Sequence, residues 1–212
     1  MILKDSEITR IFSRIPTLET ERLTLRRIKN CDAYDMYDYS CRSDVTKYLL
    51  WSPHPSLDYT KAYISSLQSQ YRCGNFYDWA IVLRDENKMI GTVGYTEIST
   101  HNNSAELGYV INPHFWRRGI ATEAVSALIE FGFVELGLNR IYARYMAGNE
   151  NSRRVMEKCG MSFEGINRSL LYVKNEYRDI GVCAILADDY VKPNGSTYKI
   201  AKPANIFDTI FR

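Results

Sequence analysis

Alternating apolar and polar positions mark the first readable element. In RLTLRRI, Arg22 to Ile28, the residues Leu23, Leu25 and Arg27 alternate against Thr24 and Arg26, which predicts a strand. Helical spacing takes over from about Cys31 to Leu50 and again from Leu57 to Tyr71, with the breaker SPHPS between the two segments. Strand patterns return in DWAIVLR and MIGTVGYTEI, joined by the turn DENK, and in AELGYVI, which follows the turn STHNNS and closes at Asn112-Pro113. An apolar stripe at Ile120, Ala124, Val125, Leu128 and Ile129 then predicts a helix lying on a sheet. RIYARYM follows as a strand, NENSRRVMEKCG as a short helix, and SLLYVKNEYRDIGVCAILADDY as a final hairpin. No repeat period interrupts this order. A meander first and strand-helix-strand units later predict α+β architecture with parallel pairing near the centre of the sheet. The first 18 residues read as a polar leader, and VKPNGSTYKIAKPANIFDTIFR, residues 191–212, as an appended tail.

Composition narrows the function. A length of 212 residues suits one large domain with extensions. The apolar fraction of 45% and charged fraction of 25% are those of an ordinary globular protein, and a net charge of +2 gives no field of the kind a nucleic-acid binder carries. Any positive charge that matters is therefore local. The five cysteines, Cys31, Cys41, Cys73, Cys159 and Cys183, are odd in number and widely scattered, which predicts reduced thiols in a cytoplasmic protein. The N-terminal stretch has charges spread through it, unlike a signal peptide, and no segment has the length of uncharged apolar sequence that spans a bilayer. No association with a membrane is expected.

Local positive charge appears at FWRRGIATEAV. The first helical turn, Gly119 to Glu123, directs its free N–H groups and positive dipole end back at the Arg117-Arg118-Gly119 turn. Gly119 lets an anion approach the backbone, and the arginines add full charge, so the segment suits a phosphate or pyrophosphate. A solvated basic corner has the same composition. The chain lacks both the G-x-x-x-x-G-K-[ST] loop and the G-x-G-x-x-G fingerprint, which argues against an ATPase, a kinase and a Rossmann dehydrogenase.

AELGYVINPHFWRRGIATEAV, followed about thirty residues later by NENSRRVMEKCGMSFEG, resembles the GNAT N-acetyltransferase superfamily, and within it the RimJ/RimL-type branch that acetylates α-amines of proteins. The similarity runs from about Glu19 to Tyr190, so residues 19–190 are expected to form the acetyltransferase domain. The resemblance implies a mixed, mostly antiparallel, twisted central sheet flanked by helices and splayed at its central strands. It also implies acetyl-CoA as co-substrate, with the CoA pyrophosphate on the backbone amides of Arg117, Arg118, Gly119, Ile120, Ala121 and Thr122. Trp116 stands where the general motif has Gln or Arg, an occupant familiar in this branch. Val110 and Ile111 are implied to offer backbone groups to the pantetheine arm, although an ordinary core strand would show the same residues. Asn149 is carried over as a contact to the CoA arm, Asn151 is expected to cap the short helix, and Gly160 to end it.

Catalysis of amine acetylation needs a neutral amine and a proton donor for the departing CoA thiolate. The resemblance implies Glu106 as base, directly or through water. Many members place a Tyr acid where this chain has Met156, and a thioether cannot donate a proton. Ser152, one turn earlier on the same face, is the replacement the branch suggests, with a helix cap as its other reading. An α-amine of pKa about 7.7 to 8 is roughly 10 to 20% neutral at pH 7, against about 0.04% for a lysine, so modest acid-base equipment favours an α-amine acceptor. The expected activity is direct transfer from acetyl-CoA to a primary amine, foremost a protein N-terminus. The alternatives are a small-amine acetyltransferase (polyamine, amino sugar or antibiotic) and a binding module that has lost turnover. A monomer or homodimer is expected. Tyr34, Tyr37, Tyr39, Tyr48, Trp51, Tyr59 and Tyr63 on the early helices suit a core or a substrate lid, and Tyr177, Arg178 and Asp179 on the hairpin suit acceptor recognition or a turn. His54, His101 and His114 show no metal spacing and no nucleophile elbow is present, so neither a metal nor a covalent enzyme intermediate is expected.

Overall fold

The computed structural model describes residues 4–191 and 195–201. Its strands are β1 (Leu18–Glu19), β2 (Leu23–Arg26), β3 (Asp78–Leu83), β4 (Lys88–Ser99), β5 (Ser104–Ile111), β6 (Arg140–Met146), β7 (Ser162–Val173), β8 (Glu176–Leu186) and β9 (Lys199–Ile200). They form one sheet in the order β7-β8-β6-β5-β4-β3-β2-β1-β9, antiparallel at every contact except β5 with β6. The helices are α1 (Asp5–Ser13), α2 (Ala33–Ser40), α3 (Ser43–Thr46), α4 (Leu57–Cys73), α5 (Ile120–Val134) and α6 (Glu150–Lys158). This is the expected α+β class, with the parallel contact at the centre.

The parallel contact is short. Only Ser104, Ala105 and Glu106 pair with Arg140, Ile141 and Tyr142, after which β5 and β6 part. Beyond that point β5 stays registered with β4 as far as Ile111, and β6 with β8 as far as Met146, so each strand is held by its antiparallel neighbour. A bulge in β4 leaves Thr96 without an opposite number in β5, and bulges bend and twist a strand locally. The result is an open fork beginning just past Glu106.

Side-chain alternation assigns the two faces of the sheet. Leu128 on α5 accepts a hydrogen bond from Tyr95 of β4, and Gly132 lies against Ile141 of β6, so Val93, Tyr95, Ile141 and Ala143 face α5. These residues are buried together with Ala124, Val125, Leu128 and Phe131. Thr92, Gly94 and Thr96 of β4, with Glu106 and Gly108 of β5 and Arg144 of β6, face the other way. That side carries α2 and α4 over the first strands.

The expected helix over 31–50 is two helices. Arg42 is extended, at φ −91° and ψ 132°, and the Asp44 carboxylate accepts from the Val45 N–H and from the Arg42 side chain, which restarts the chain as α3. α4 begins where Ser56 accepts from the Tyr59 N–H and ends at Gly74, whose φ of 68° is left-handed.

The segment read as a polar leader contributes to the core. α1 places Phe12, fully buried, with its ring centroid 4.6 Å from Tyr77 and 5.6 Å from Trp79. Part of the tail is also engaged, because β9 pairs with β1, Tyr198 is buried, and Ser196 and Thr197 donate to the buried Glu130 carboxylate on α5. Residues 1–3, 192–194 and 202–212 of these segments lie outside the described residues.

Phe12→Ala is expected to cost about 3–5 kcal/mol, the range for a large aromatic deleted from a packed core. Urea unfolding should show a lower midpoint at an unchanged slope. A parental midpoint would mean that α1 is dispensable.

Candidate active site

The loop from β5 to α5 is built to leave helix amides open. Asn112, fully buried, accepts from the His114 N–H and donates to Asp38 of α2 at 2.8 Å, which fixes the exit of β5. The Trp116 indole donates to the Ile111 carbonyl at 2.7 Å, so its ring folds back on the strand end. Two left-handed residues then turn the chain: Arg117 at φ 61° and Gly119 at φ 76°. Arg117 has a Cβ, so its conformation is strained by roughly 1–2 kcal/mol.

Gly119 occupies the cap position of α5 and supplies no side-chain cap. Among the described residues the N–H groups of Ile120, Ala121 and Thr122 find no acceptor, and the first helical bond runs from the Glu123 N–H to the Gly119 carbonyl. Glu123, an acid in this turn, points away from the open amides. Its carboxylate accepts from the Thr20 hydroxyl at 2.6 Å and from the Arg22 backbone and side chain at 2.8 and 2.7 Å. Arg22 also donates to the Arg118 carbonyl at 2.9 Å, bracing the loop from the sheet edge. The expected residues Arg117 to Thr122 therefore form one turn with open amides and its one acid neutralised, a geometry that suits an anion such as the pyrophosphate of CoA.

The fork lies next to this cradle. The Asn112 N–H bonds to Ile90 of β4, and the Val110 carbonyl lies against Gly91 of β4, so both face away from the fork. By alternation the backbone groups of Tyr109 and Ile111 face the fork, with the Ile111 carbonyl taken by Trp116. Sequence reasoning placed Val110 and Ile111 there; the structure puts Tyr109 in the place of Val110.

Helix α6 caps differently from the expectation. Asn149, and not Asn151, is the N-cap: its side chain accepts from the Ser152 N–H, and Asn151 lies inside the first turn. Finding that helix start required the backbone, because Asn149, Asn151 and Ser152 all carry capping side chains. Gly160, left-handed at φ 86°, follows the helix end. The Ser152 hydroxyl does not cap. It sits 2.9 Å from the Tyr109 hydroxyl, which is also 2.9 Å from the Ser152 carbonyl. Burial pushes the Tyr109 phenol above its ordinary range, keeping it protonated. Met156 is buried. Cys159 lies close by, 3.6 Å from the Thr122 carbonyl, and burial pushes its thiol up to about 11, so it is no nucleophile at neutral pH.

Glu106 stands at the last paired position before the fork, 8% exposed, and faces away from Tyr109 and Ser152. Its carboxylate is gripped by Arg144 of β6, Nε to Oε1 and Nη2 to Oε2, both at 2.8 Å. Each oxygen thus accepts a charge-assisted bond in a two-point grip. Arg144 was missed by sequence reasoning, although the alternation of RIYARYM puts Arg140, Tyr142 and Arg144 on one face.

The β7–β8 hairpin reaches over this side. Lys174 at its tip donates to the Thr46 carbonyl of α3, and Arg178 lies near enough to help burial lower the Lys174 ammonium. Tyr177 is exposed, Arg178 pairs with Glu176, and Asp179 accepts from the Ser169 N–H. On the early helices Tyr39 is buried, while Tyr34, Tyr59 and Tyr63 are exposed. His54 rests against Trp51, Tyr59 and Tyr63, hydrogen-bonds Ser40 and Thr60, and is driven toward its neutral form by burial. Among the described residues no three His, Cys, Asp or Glu side chains gather as a metal site, and no helix is long and apolar enough to cross a membrane.

The sheet is splayed at its centre with open helix amides at the mouth of the split, and the acetyltransferase (GNAT) domain profile matches residues 22–162. The chain belongs to the GNAT acetyltransferase family and is an N-acetyltransferase. An uncharacterized N-acetyltransferase of Bacillus subtilis, YoaA, is 34% identical over 171 residues, covering 81% of this chain and 97% of its own. The [ribosomal protein uS5]-alanine N-acetyltransferase of Escherichia coli is 24% identical, over 82% of this chain and 92% of its own. The crystal structure of a Vibrio cholerae spermidine N-acetyltransferase in complex with CoA and spermine superposes with a TM-score of 0.68 at 22% identity, covering 79% of this chain and 97% of its own. GNAT enzymes use acetyl-CoA, and the open amides of α5 fit its pyrophosphate.

Acetyl-CoA at about a hundredfold excess over its dissociation constant should stabilise the protein by roughly 2.7 kcal/mol. Gly119→Glu, which sets a carboxylate in the cradle, should abolish the thermal shift. Arg22→Ala should weaken acetyl-CoA by roughly tenfold, about 1.4 kcal/mol, through the loop it braces. Thermal midpoints with and without acetyl-CoA check both, and a full shift in Gly119→Glu would remove the cradle from CoA binding.

Proposed function

We propose that the protein transfers the acetyl group of acetyl-CoA directly to the α-amine of a protein or peptide N-terminus, in a reducing cytoplasm to which its five unpaired cysteines are suited. The observation that carries this reading is the Arg144 grip on Glu106. Both oxygens of that carboxylate are occupied by the guanidinium and turned away from an incoming amine, so the reading suits an amine that loses its proton easily. An α-ammonium of pKa about 7.7 to 8 meets that condition and a lysine or polyamine nitrogen does not.

Charge adds one feature. Arg178 and Arg144 are neutralised by Glu176 and Glu106, whereas the Lys174 ammonium at the hairpin tip is bonded to a backbone carbonyl and keeps its positive charge at the open face, where it suits a peptide offering carbonyl oxygens. The relatives are named for both kinds of acceptor, one for an alanine of ribosomal protein uS5 and the Vibrio enzyme for spermidine. The small-amine reading is therefore the second one. The binding-only reading loses its main argument, because Ser152 with Tyr109 provides hydroxyl protons where Met156 cannot.

In this reading the cradle and Asn149 hold acetyl-CoA, and the fork-facing groups of Tyr109 and Ile111 flank its arm. Glu106 orients Arg144 and the fork. Ser152 donates to the departing thiolate and is steadied by Tyr109.

Purified protein with acetyl-CoA should release free thiol faster with a peptide bearing a free α-amine than with the same peptide N-terminally blocked and carrying lysine, or with spermidine. Preference for spermidine would overturn the acceptor assignment. Ser152→Ala should lower turnover by about 10²-fold or less while leaving the melting midpoint near parental, since Asn149 caps the helix. A variant that melts early and turns over normally would return Ser152 to a purely structural role.

A further inference from the structure

With Glu106 tied to Arg144, the site needs another proton acceptor on the same face of the sheet. Three strands carry one row there: Asp78 of β3 is in register with Gly94 of β4, and Gly94 with Gly108 of β5. Gly108 lies two residues past Glu106, on the free edge of the fork. Because Gly94 has no side chain, the Asp78 carboxyl lies across it: a Cβ at Gly94 would fall 2.0 Å from Asp78 Oδ1. Asp78 is thereby carried about one strand spacing, ~4.8 Å, toward the fork. Thr96, extruded by the bulge, covers Gly108 beside it.

Asp78 has no hydrogen bond or ion pair to its carboxyl among the described residues; the bond it does make is through its backbone carbonyl, which accepts from Tyr71. The groups that face it are phenols. Tyr39 of α2 and Tyr63 and Tyr71 of α4 each lie near enough to feel its charge. Asp32, which also acts on Tyr39, is neutralised by Arg26 at 2.8 Å. Tyr39 is buried, whereas Tyr63 is 39% exposed beside His54, so the solvent-facing side of this group is at the aromatic cluster of the early helices.

We propose that Asp78 is the proton acceptor for the incoming amine, with Tyr39 and Tyr63 as the walls that guide it. This rests on the α-amine reading above and deepens it. In the step, the ammonium N–H bond breaks and an O–H bond forms on Asp78. The neutral nitrogen then attacks the thioester carbonyl, the C–S bond breaks as sulfur takes the Ser152 hydroxyl proton, and the second nitrogen proton passes to solvent, from which Ser152 is reprotonated. Asp78 returns its proton to solvent past Tyr63.

Burial pushes the Asp78 carboxyl up to about 7. Proton transfer to it from an α-ammonium of pKa about 8 is uphill only about tenfold, against more than about a thousandfold from a lysine ammonium. The base is matched to the amine that the rest of the site favours.

Asp78→Asn keeps the shape and removes proton acceptance. With an N-terminal peptide as acceptor, kcat/KM at pH 7 should fall about 10²-fold at parental acetyl-CoA affinity, and the deficit should shrink toward pH 9, where the amine arrives neutral. Gly94→Ala, which displaces the carboxyl without removing it, should show the same loss. A readout free of activity follows from linkage. The folded carboxyl binds its proton up to about pH 7 and the unfolded one only to about 4, so parental stability should fall relative to Asp78→Asn as pH rises between those values. Parental kcat/KM in both variants, or melting curves that stay parallel from pH 4 to 7, would overturn the proposal. If only spermidine turns over, the acceptor reading fails, and the same variant ratio measured on spermidine decides Asp78 separately.

Discussion

Two neighbouring strands bound to different partners set the geometry of this enzyme. β5 is held by β4 along its length and β6 by β8, and the two share hydrogen bonds only over Ser104–Glu106 and Arg140–Tyr142. A gap in a sheet leaves backbone groups unpaired, which is costly unless something occupies it. Here the bulge at Thr96 and the packing of α5 and α6 behind the sheet keep it open. The site follows from the fork: the cradle sits where β5 runs into α5, Tyr109 meets Ser152 on the helical face, and Glu106 meets Arg144 on the other. On the proposed reading, a thioester in the fork would have access to both faces, and proton donation to sulfur and proton removal from nitrogen would be separated by the thickness of one sheet.

Much of this was legible in the sequence for local reasons. The α5 stripe, Gly119 and the arginine pair predict an anion site because capping, dipole and charge act within one turn, and the strands of the meander show their alternation directly. What escaped depended on distant partners. α1 looked polar because Ile8 and Phe12 are apolar only on one narrow face, and their burial needs Tyr77, Trp79 and Tyr95. Arg144 meets Glu106 across 38 residues, and only the β5–β6 register shows it. The choice of Asn149 over Asn151 as cap turned on a difference of two residues in a helix start, which composition does not resolve. Asp78 reads as an ordinary strand-end acid until α2 and α4 are laid over it.

The cradle is braced from a distance. Arg22 joins Glu123 of α5 and the Arg118 carbonyl to the start of β2, and Thr20 adds a further bond, so the sheet edge where β1 and β9 pair is mechanically continuous with the nucleotide end of the site. Strain held at Arg117 is sustained by these contacts together with the Trp116 bond to Ile111.

The Lys174 bond to Thr46 has a topological meaning. Running from the hairpin tip through α3 and α2 to β4, then across β5, the fork, β6 and β8, the chain elements close a ring around the open face of the fork. A polymer can be laid sideways into an open trench at any point along its length, but a ring must be threaded from an end. On the proposed acceptor reading, such an opening would favour a chain end over the interior of a polypeptide. Selection for chain ends would then be a property of the shape of the opening, set before any side chain of the acceptor is recognised.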